Sequence, residues 1–410
     1  MDLTSEHMQG EPRQPSAGPI DRLVEAWLGK AMARVEDVRL MVRLPSGYRF
    51  VCGHPDASRD IEWSLKRWNA LLRVASSGAL GFAEGYINDE WDTPDLQTLL
   101  TTLSGELDKI QTAQRRGGPS RLLARLKHLR NANTRKGSRR NISFHYDLGN
   151  TFYSHWLDET MTYSSAVFDQ LDEPLADAQR RKYRRICDQL ELKPGQSVLE
   201  IGCGWGGFAE VAAGEYGARV TGVTLSKEQL DFAQQRMLRL GLADQVDLRL
   251  QDYRDIPETF DAIASIEMFE AVGEEHWPVY FKKLQSCLKP GGKAALQIIT
   301  IREQDFEGYR HAVDFIQKYI FPGGMLPPPV KLEELAQDAG LISDDICMFA
   351  PSYAETLRRW HEDFDADWAR IEPLGFDQRF RRIWKYYLAY CEAGFDTGRI
   401  DVGQFIYRNP

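Results

Sequence analysis

An α/β fold with a mostly parallel sheet, preceded by a small α+β domain, is predicted by three observations. From residue 197 onward, short apolar runs alternate with stretches of helical spacing. The first run, Ser197–Ile201, breaks into four glycines, Gly202, Gly204, Gly206 and Gly207, before a helix resumes at Phe208. The 410 residues amount to two or three typical domains. Strands alternating with helices give a parallel sheet covered on both faces, with the ligand site at the strand C-terminal ends. This Rossmann-like arrangement fits a strand, a glycine loop and a helix N-terminus carrying partial positive charge.

Composition excludes several classes. A net charge of −9 does not suit a whole-molecule nucleic-acid binder. The six cysteines form no C-x-x-C pair, which points away from zinc and from a disulfide framework and toward a reducing cytoplasm. Residues 1–18 are polar, read as a disordered tail, and lack the pattern of a signal peptide. No apolar run approaches the ~20 residues of a membrane span. No metal site is expected.

Residues 19–108 read as the α+β domain. Leu40–Leu44 and Tyr48–Cys52 are strands joined by a turn at Pro45–Gly47. Ile61–Val74 carries Trp63 and Trp68, Gly78–Trp91 is rich in glycine and aromatics, and a helix opens at Thr93 and runs through Leu103. An aromatic surface is expected, with ordinary core aromatics as the alternative. Residues 109–140 then hold eleven Lys and Arg and no acid. Within them Arg121, Arg125, Lys127 and Arg130 accompany Leu122, Leu126 and Leu129 at helical spacing. A basic amphipathic helix suits an anionic bilayer surface. A solvated linker is the alternative, and nucleic-acid binding has no motif to support it.

Residues 141–410 form the main domain. Asp177–Leu192 is a helix with a basic face from Arg180, Arg181, Lys182, Arg184 and Arg185. After the glycine loop come strands at Arg219–Val223, Val246–Leu250, Phe260–Ile266 and Ala294–Ile301, with helices at Ser226–Leu240 and Trp277–Leu288. The second strand leads to Thr224 and Ser226, without the acid that holds a dinucleotide ribose, and the loop lacks the G-x-G-x-x-G spacing. Both features disfavour NAD and favour S-adenosylmethionine. Asp252 is placed to accept from the adenine amine, Tyr253 to lie beside the ring, and Glu200 to hold the methionine end or orient the loop.

Further motifs sharpen this reading. They are His145–Asn150, Tyr163-Ser164, Val198–Gly207, Gly222–Ser226 with Gln229, Gln251–Asp255 and Lys318–Pro327. On these residues the chain resembles the cyclopropane-fatty-acyl-phospholipid synthase family, from about residue 140 to the C-terminus and more weakly through Gly81–Tyr86. The resemblance implies a class I methyltransferase with a seven-stranded sheet and a cofactor site of Tyr163, Ser164, Glu200, Gly202, Gly204, Gly206, Thr224, Gln229, Asp252 and Tyr253. It implies an acyl-chain cis double bond that attacks the sulfonium methyl, and a carbocation that then loses a proton. Closing a cyclopropane ring is the first expectation, and a methylene- or methyl-branched chain the second. A dry aromatic pocket is needed, and the insert at about 302–330 offers Tyr309, Phe315, Tyr319 and Phe321.

In the family, bicarbonate acts as the base. Carried across, its holders are Glu270, Gln297 where the family has histidine, Tyr353, and Ser165 where it has cysteine. Glu267 is read as a helix-start acid, and Ala271 replaces a histidine found directly after the glutamate. The expected partner is a phospholipid bilayer at the cytoplasmic membrane face, with a homodimer as an open arrangement. Two other classes stand beside this one: a methyltransferase for a small soluble amine or phenol, and a catalytically silent lipid-binding protein.

Overall fold

The computed structural model describes residues 15–33, 35, 36, 38–104 and 148–410. The chain divides into two compact units, 1–114 and 115–410. The expected tail up to residue 14, the segment 109–140 with Arg121, Arg125, Lys127 and Arg130, and His145–Asp147 lie outside the described residues.

In the first unit, strands β1 (Val38–Arg43), β2 (Arg49–Gly53), β3 (Arg59–Leu65) and β4 (Trp91–Asp92) form a sheet in the order β2-β1-β3-β4. The alternation of β1 puts Val38, Leu40 and Val42 inside. β3 buries Ile61, Trp63 and Leu65 in the same way. Helices Pro19–Met32 and Asn69–Ile87 accompany the sheet, the latter kinked at Gly78. The expected aromatic surface is instead a core. Trp63, Phe82, Tyr86 and Trp91 are all buried and pack on one another, with the Trp91 indole N–H donating to the Phe82 carbonyl at 2.8 Å. Rings this large contribute more by leaving water than by facing it.

In the second unit, β5 (Ser197–Ile201), β6 (Arg219–Thr224), β7 (Val246–Leu250), β8 (Phe260–Ile266), β9 (Leu288–Ile301), β10 (Ile342–Met348) and β11 (Ile400–Arg408) form one sheet. Its order is β10-β11-β9-β8-β5-β6-β7, and β11 alone runs against the rest. The central strands are buried on both faces and read as continuous apolar runs, as parallel sheets require. β8 buries Ala262, Ile263 and Ala264 in succession. One face packs Tyr280, Phe281 and Leu284, and the other packs Phe208, Ala212 and Ile186.

The helix Lys227–Arg239 begins where the Ser226 hydroxyl accepts from the Gln229 N–H. That cap fixes where the chain leaves β6. Between β9 and β10 the insert forms short helices Glu303–Tyr309 and Phe315–Tyr319, followed by Pro329–Asp338. Two long helices, Ala350–Ala366 and Gln378–Asp396, separate β10 from β11. They supply Tyr353 and Tyr387, which hydrogen-bond to Glu267 and Tyr163. Among the described residues no helix is long and apolar enough to cross a membrane.

Candidate active site

A cavity opens at the C-terminal ends of β5, β6, β7 and β8. Of the ten residues expected at the cofactor, nine line it: Tyr163, Ser164, Glu200, Gly202, Gly204, Thr224, Gln229, Asp252 and Tyr253. Gly206 does not line it. It sits one step behind as the N-cap of the helix Gly207–Gly214, with φ +84°. Gly202 has φ +86°, and a Cβ there would come within 2.9 Å of the Met268 side chain. Only glycine adopts that backbone without strain, which lets β5 turn sharply into the loop.

The polar groups of this wall suit a nucleoside with an amino-acid tail. Glu200 is buried and its Oε2 has no hydrogen-bond partner, so it has room for a donor from a ligand. Burial holds its carboxyl well above the usual range, against the opposing charge of Arg236. Asp252 is held by Arg254, whose Nε and Nη2 donate to its two oxygens at 2.8 and 2.6 Å. The Thr224 hydroxyl accepts from the Ser226 N–H and donates to Gln229 Oε1. These residues fit S-adenosylmethionine. Among the described residues no cluster of His, Cys, Asp and Glu could hold a metal.

The structure brings Ser165, Gln297 and Tyr353 together, but around Glu267, which also lines the cavity, rather than around Glu270. Glu267 Oε1 accepts from the Ser165 N–H and from Gln297 Nε2, each at 2.8 Å. Its Oε2 accepts from the Tyr353 hydroxyl at 2.6 Å. Glu267 is therefore no helix-start acid. It stands at the end of β8 with φ +50°, a left-handed backbone that a residue with a Cβ adopts under strain. Burial pushes its carboxyl up, while Tyr353, the charge of Lys182, Gln297 and the Ser165 N–H pull it back. Glu270 faces elsewhere: its Oε1 accepts from the Ile299 N–H at 2.6 Å and its Oε2 is buried without a partner. Burial, reinforced by nearby Glu267, pushes its carboxyl up to about 8. Sequence order alone does not separate these two acids, because three residues after a strand can turn either way.

The mycolic acid cyclopropane synthetase family model matches residues 133–405. The tuberculostearic acid methyltransferase UfaA1 of Mycobacterium tuberculosis is 41% identical over 357 residues, which span 83% of this chain and 82% of that protein. The cyclopropane-fatty-acyl-phospholipid synthase of Escherichia coli K12 is 36% identical over 360 residues, 86% of this chain and 89% of that one. The crystal structure of mycolic acid cyclopropane synthase CmaA1 complexed with SAH and CTAB superposes with a TM-score of 0.63 at 32% identity, covering 66% of this chain and 98% of that chain. The chain belongs to the mycolic acid cyclopropane synthetase family. It is an S-adenosylmethionine-dependent methyltransferase of class I fold.

Two residues of this methyltransferase site carry no signal in the sequence. Lys182, expected on the basic face of its helix, is fully buried. Its ammonium donates to the Ser164 hydroxyl at 2.6 Å and to Gln179 Oε1 at 2.7 Å. Burial pulls it down to about 7, against the charges of Glu267 and Asp158. A lysine among arginines at helical spacing carries no mark of which face it takes. Gln404 on β11 lies opposite Gln297 in register, and its Nε2 donates to Gln297 Oε1 at 3.1 Å. That bond turns the Gln297 amide so that its NH2 meets Glu267 and the Ser165 carbonyl.

The expected acyl-pocket aromatics divide. Tyr309 belongs to the core beneath the sheet. Phe315 packs on Tyr386 at 4.8 Å and on Tyr319 at 5.5 Å. Phe321 faces Tyr387. The Tyr387 hydroxyl meets that of Tyr163 at 2.7 Å, so Phe321 is linked to the cavity wall through one intermediary. Tyr163 and Tyr353 both pack on Trp360.

Proposed function

We propose that this methyltransferase acts on the cis double bond of an unsaturated acyl chain in membrane phospholipid, through a carbocation on that chain. The carrying observation is the Glu267 carboxylate at the cavity wall, hydrogen-bonded to Tyr353, Gln297 and Ser165. An alkene attacks without losing a proton first, but its cation must lose one afterwards. A carboxylate beside the donor pocket suits that second need. S-Adenosylmethionine supplies an electrophilic methyl group when bound. Gly202 and Gly204 would cradle it, Glu200 would meet its amino-acid end, and Asp252 with Tyr253 would meet the nucleoside. Tyr163, Tyr353, Trp360 and Tyr387 would exclude water from the cation and stabilise it by ~1–2 kcal/mol for each well-placed face.

Ring closure to a cyclopropane is the first product in this reading. A methylene- or methyl-branched chain is the second, and the likeness to the tuberculostearic acid methyltransferase at 41% identity supports it. The basic run with Arg121, Arg125, Lys127 and Arg130 supports peripheral binding to an anionic bilayer, each charge contributing ~1 kcal/mol near such a surface.

Expression in a bacterium rich in monounsaturated phospholipid tests the reading. Mass spectrometry of the fatty esters should show a gain of one CH2, and proton NMR should separate ring from branch. Soluble protein with no such gain would refute it. Neutralising the four basic residues should weaken binding to anionic vesicles in a salt-dependent way.

A further inference from the structure

We propose that Glu267 is itself the proton acceptor of the reaction and occupies the position that the resemblance implies for bicarbonate. This rests on the acyl-methylation reading above. The step balances as follows. The alkene carbon–methyl bond forms as the sulfonium–methyl bond breaks, leaving a cation on the other alkene carbon. A proton then passes to a Glu267 oxygen, and the released C–H electron pair closes the ring or forms the new double bond.

Four observations carry it. Three of the four groups implied to hold bicarbonate donate to Glu267 instead: the Ser165 N–H, Gln297 Nε2 and the Tyr353 hydroxyl, at 2.6 to 2.8 Å. A free anion in the same place would lose those donors and meet the repulsion of a like charge. Bicarbonate therefore does not fit this donor set. Second, Glu267 lines the cavity and Glu270 does not, so Glu267 is the acid that faces an incoming ligand. Third, the neighbours are poor bases. The Gln297 amide donates both to Glu267 and to the Ser165 carbonyl, and an amide does not titrate near neutral pH. Burial and the Glu267 charge hold the Tyr353 phenol well above its usual range, so it stays a donor. Fourth, buried Lys182 contributes an attractive charge to Glu267, which helps keep the carboxylate ionised before it takes a proton.

The test uses the full chain with unsaturated phospholipid vesicles in buffer stripped of carbon dioxide. Wild-type turnover should be unchanged on adding bicarbonate. Glu267→Gln should lower kcat by about 100-fold or more, the scale of a lost general base, with unchanged S-adenosylmethionine affinity. Glu267→Gly is chosen as the second variant because glycine accepts the φ of +50° without strain, so it should fold. It should bind isotope-labelled bicarbonate by carbon NMR, where wild type does not, and should recover turnover when bicarbonate or formate is added. Wild type that binds labelled bicarbonate, or that loses turnover without it, overturns the proposal. So does a Glu267→Gln enzyme within threefold or so of wild type, far short of a general base's share. Absence of any methylated acyl product from wild type would sink the acyl-methylation reading, whereas the NMR comparison tests occupancy of the anion site on its own.

Discussion

The donor wall of the cavity comes largely from one short stretch, Ser197–Gly207, joined by the ends of β6 and β7. Glu267, from the end of β8, also lines the cavity, and its donors are drawn from across the fold: Ser165 from a loop, Gln297 from inside β9 and Tyr353 from the helix Ala350–Ala366. Glycine backbone shapes the donor wall, to which Glu200, Asp252, Thr224 and Gln229 add polar side chains, whereas the Glu267 side is held by side chains meeting across the fold. Backbone walls are sensitive to any added Cβ but indifferent to charge. A side-chain network is sensitive to each donor, and a single exchange of amide for carboxylate disables it.

The largest expected effect separates the two acids. Glu267→Gln should cost about 100-fold or more in kcat, while Glu270→Gln should stay within roughly tenfold, because its amide still accepts from the Ile299 N–H. The signature of Glu270 lies in stability instead. Its carboxyl is raised from 4.5 to about 8, so the folded state keeps a proton that the unfolded chain has lost. Its contribution is fully present below pH 4.5 and is lost as pH rises through about 8. Wild type should therefore lose thermal stability across that window by several degrees, and Glu270→Gln should flatten the slope. Equal kcat losses in both variants would erase the distinction.

The donor wall gives the next effect. Gly202→Ala forces a Cβ onto a φ of +86° and toward Met268. A left-handed alanine costs ~1–2 kcal/mol, so S-adenosylmethionine should bind about tenfold more weakly. Calorimetry on the purified enzyme measures this directly, and unchanged affinity would show that the loop relaxes elsewhere.

The same contrast explains what could be read from the sequence. The glycine loop and five strands, matched within a residue or two apart from the start of β9, follow from contiguous pattern, whereas the ten residues expected at the cofactor, nine of which line the cavity, came largely with the family resemblance. The partners of Glu267, Ser165, Gln297 and Tyr353, are residues that the family resemblance points to and that local pattern does not. Their centre was misassigned to Glu270, because which of two acids near a strand end turns inward depends on one left-handed residue that no pattern signals. Lys182 reads as part of a basic helix face because its sequence neighbours are arginines, and Gln404 carries no local signal because its meaning depends on register with β9. Those facts belong to tertiary packing and are absent from local periodicity.

Gln404 gives the smallest effect and the finest test of the side-chain wall. It touches neither Glu267 nor the cavity, and acts only by turning the Gln297 amide. Gln404→Leu removes the donor to Gln297 Oε1 and frees that amide to rotate, so the NH2 no longer always faces the carboxylate. A lost neutral hydrogen bond is worth ~1 kcal/mol, which sets a kcat loss of about fivefold. A merely structural role would produce the same loss at every pH. A positioning role would not: one donor fewer favours the protonated form of Glu267, so its titration moves upward. The acid limb of the kcat profile should then shift to higher pH in Gln404→Leu while S-adenosylmethionine affinity stays constant. Restoring the donor with Gln404→His, if its ring reaches Gln297 Oε1, should bring the limb back. A limb that does not move would mean that Gln297 keeps its orientation without help from β11, and that the side-chain wall is as self-supporting as the glycine loop.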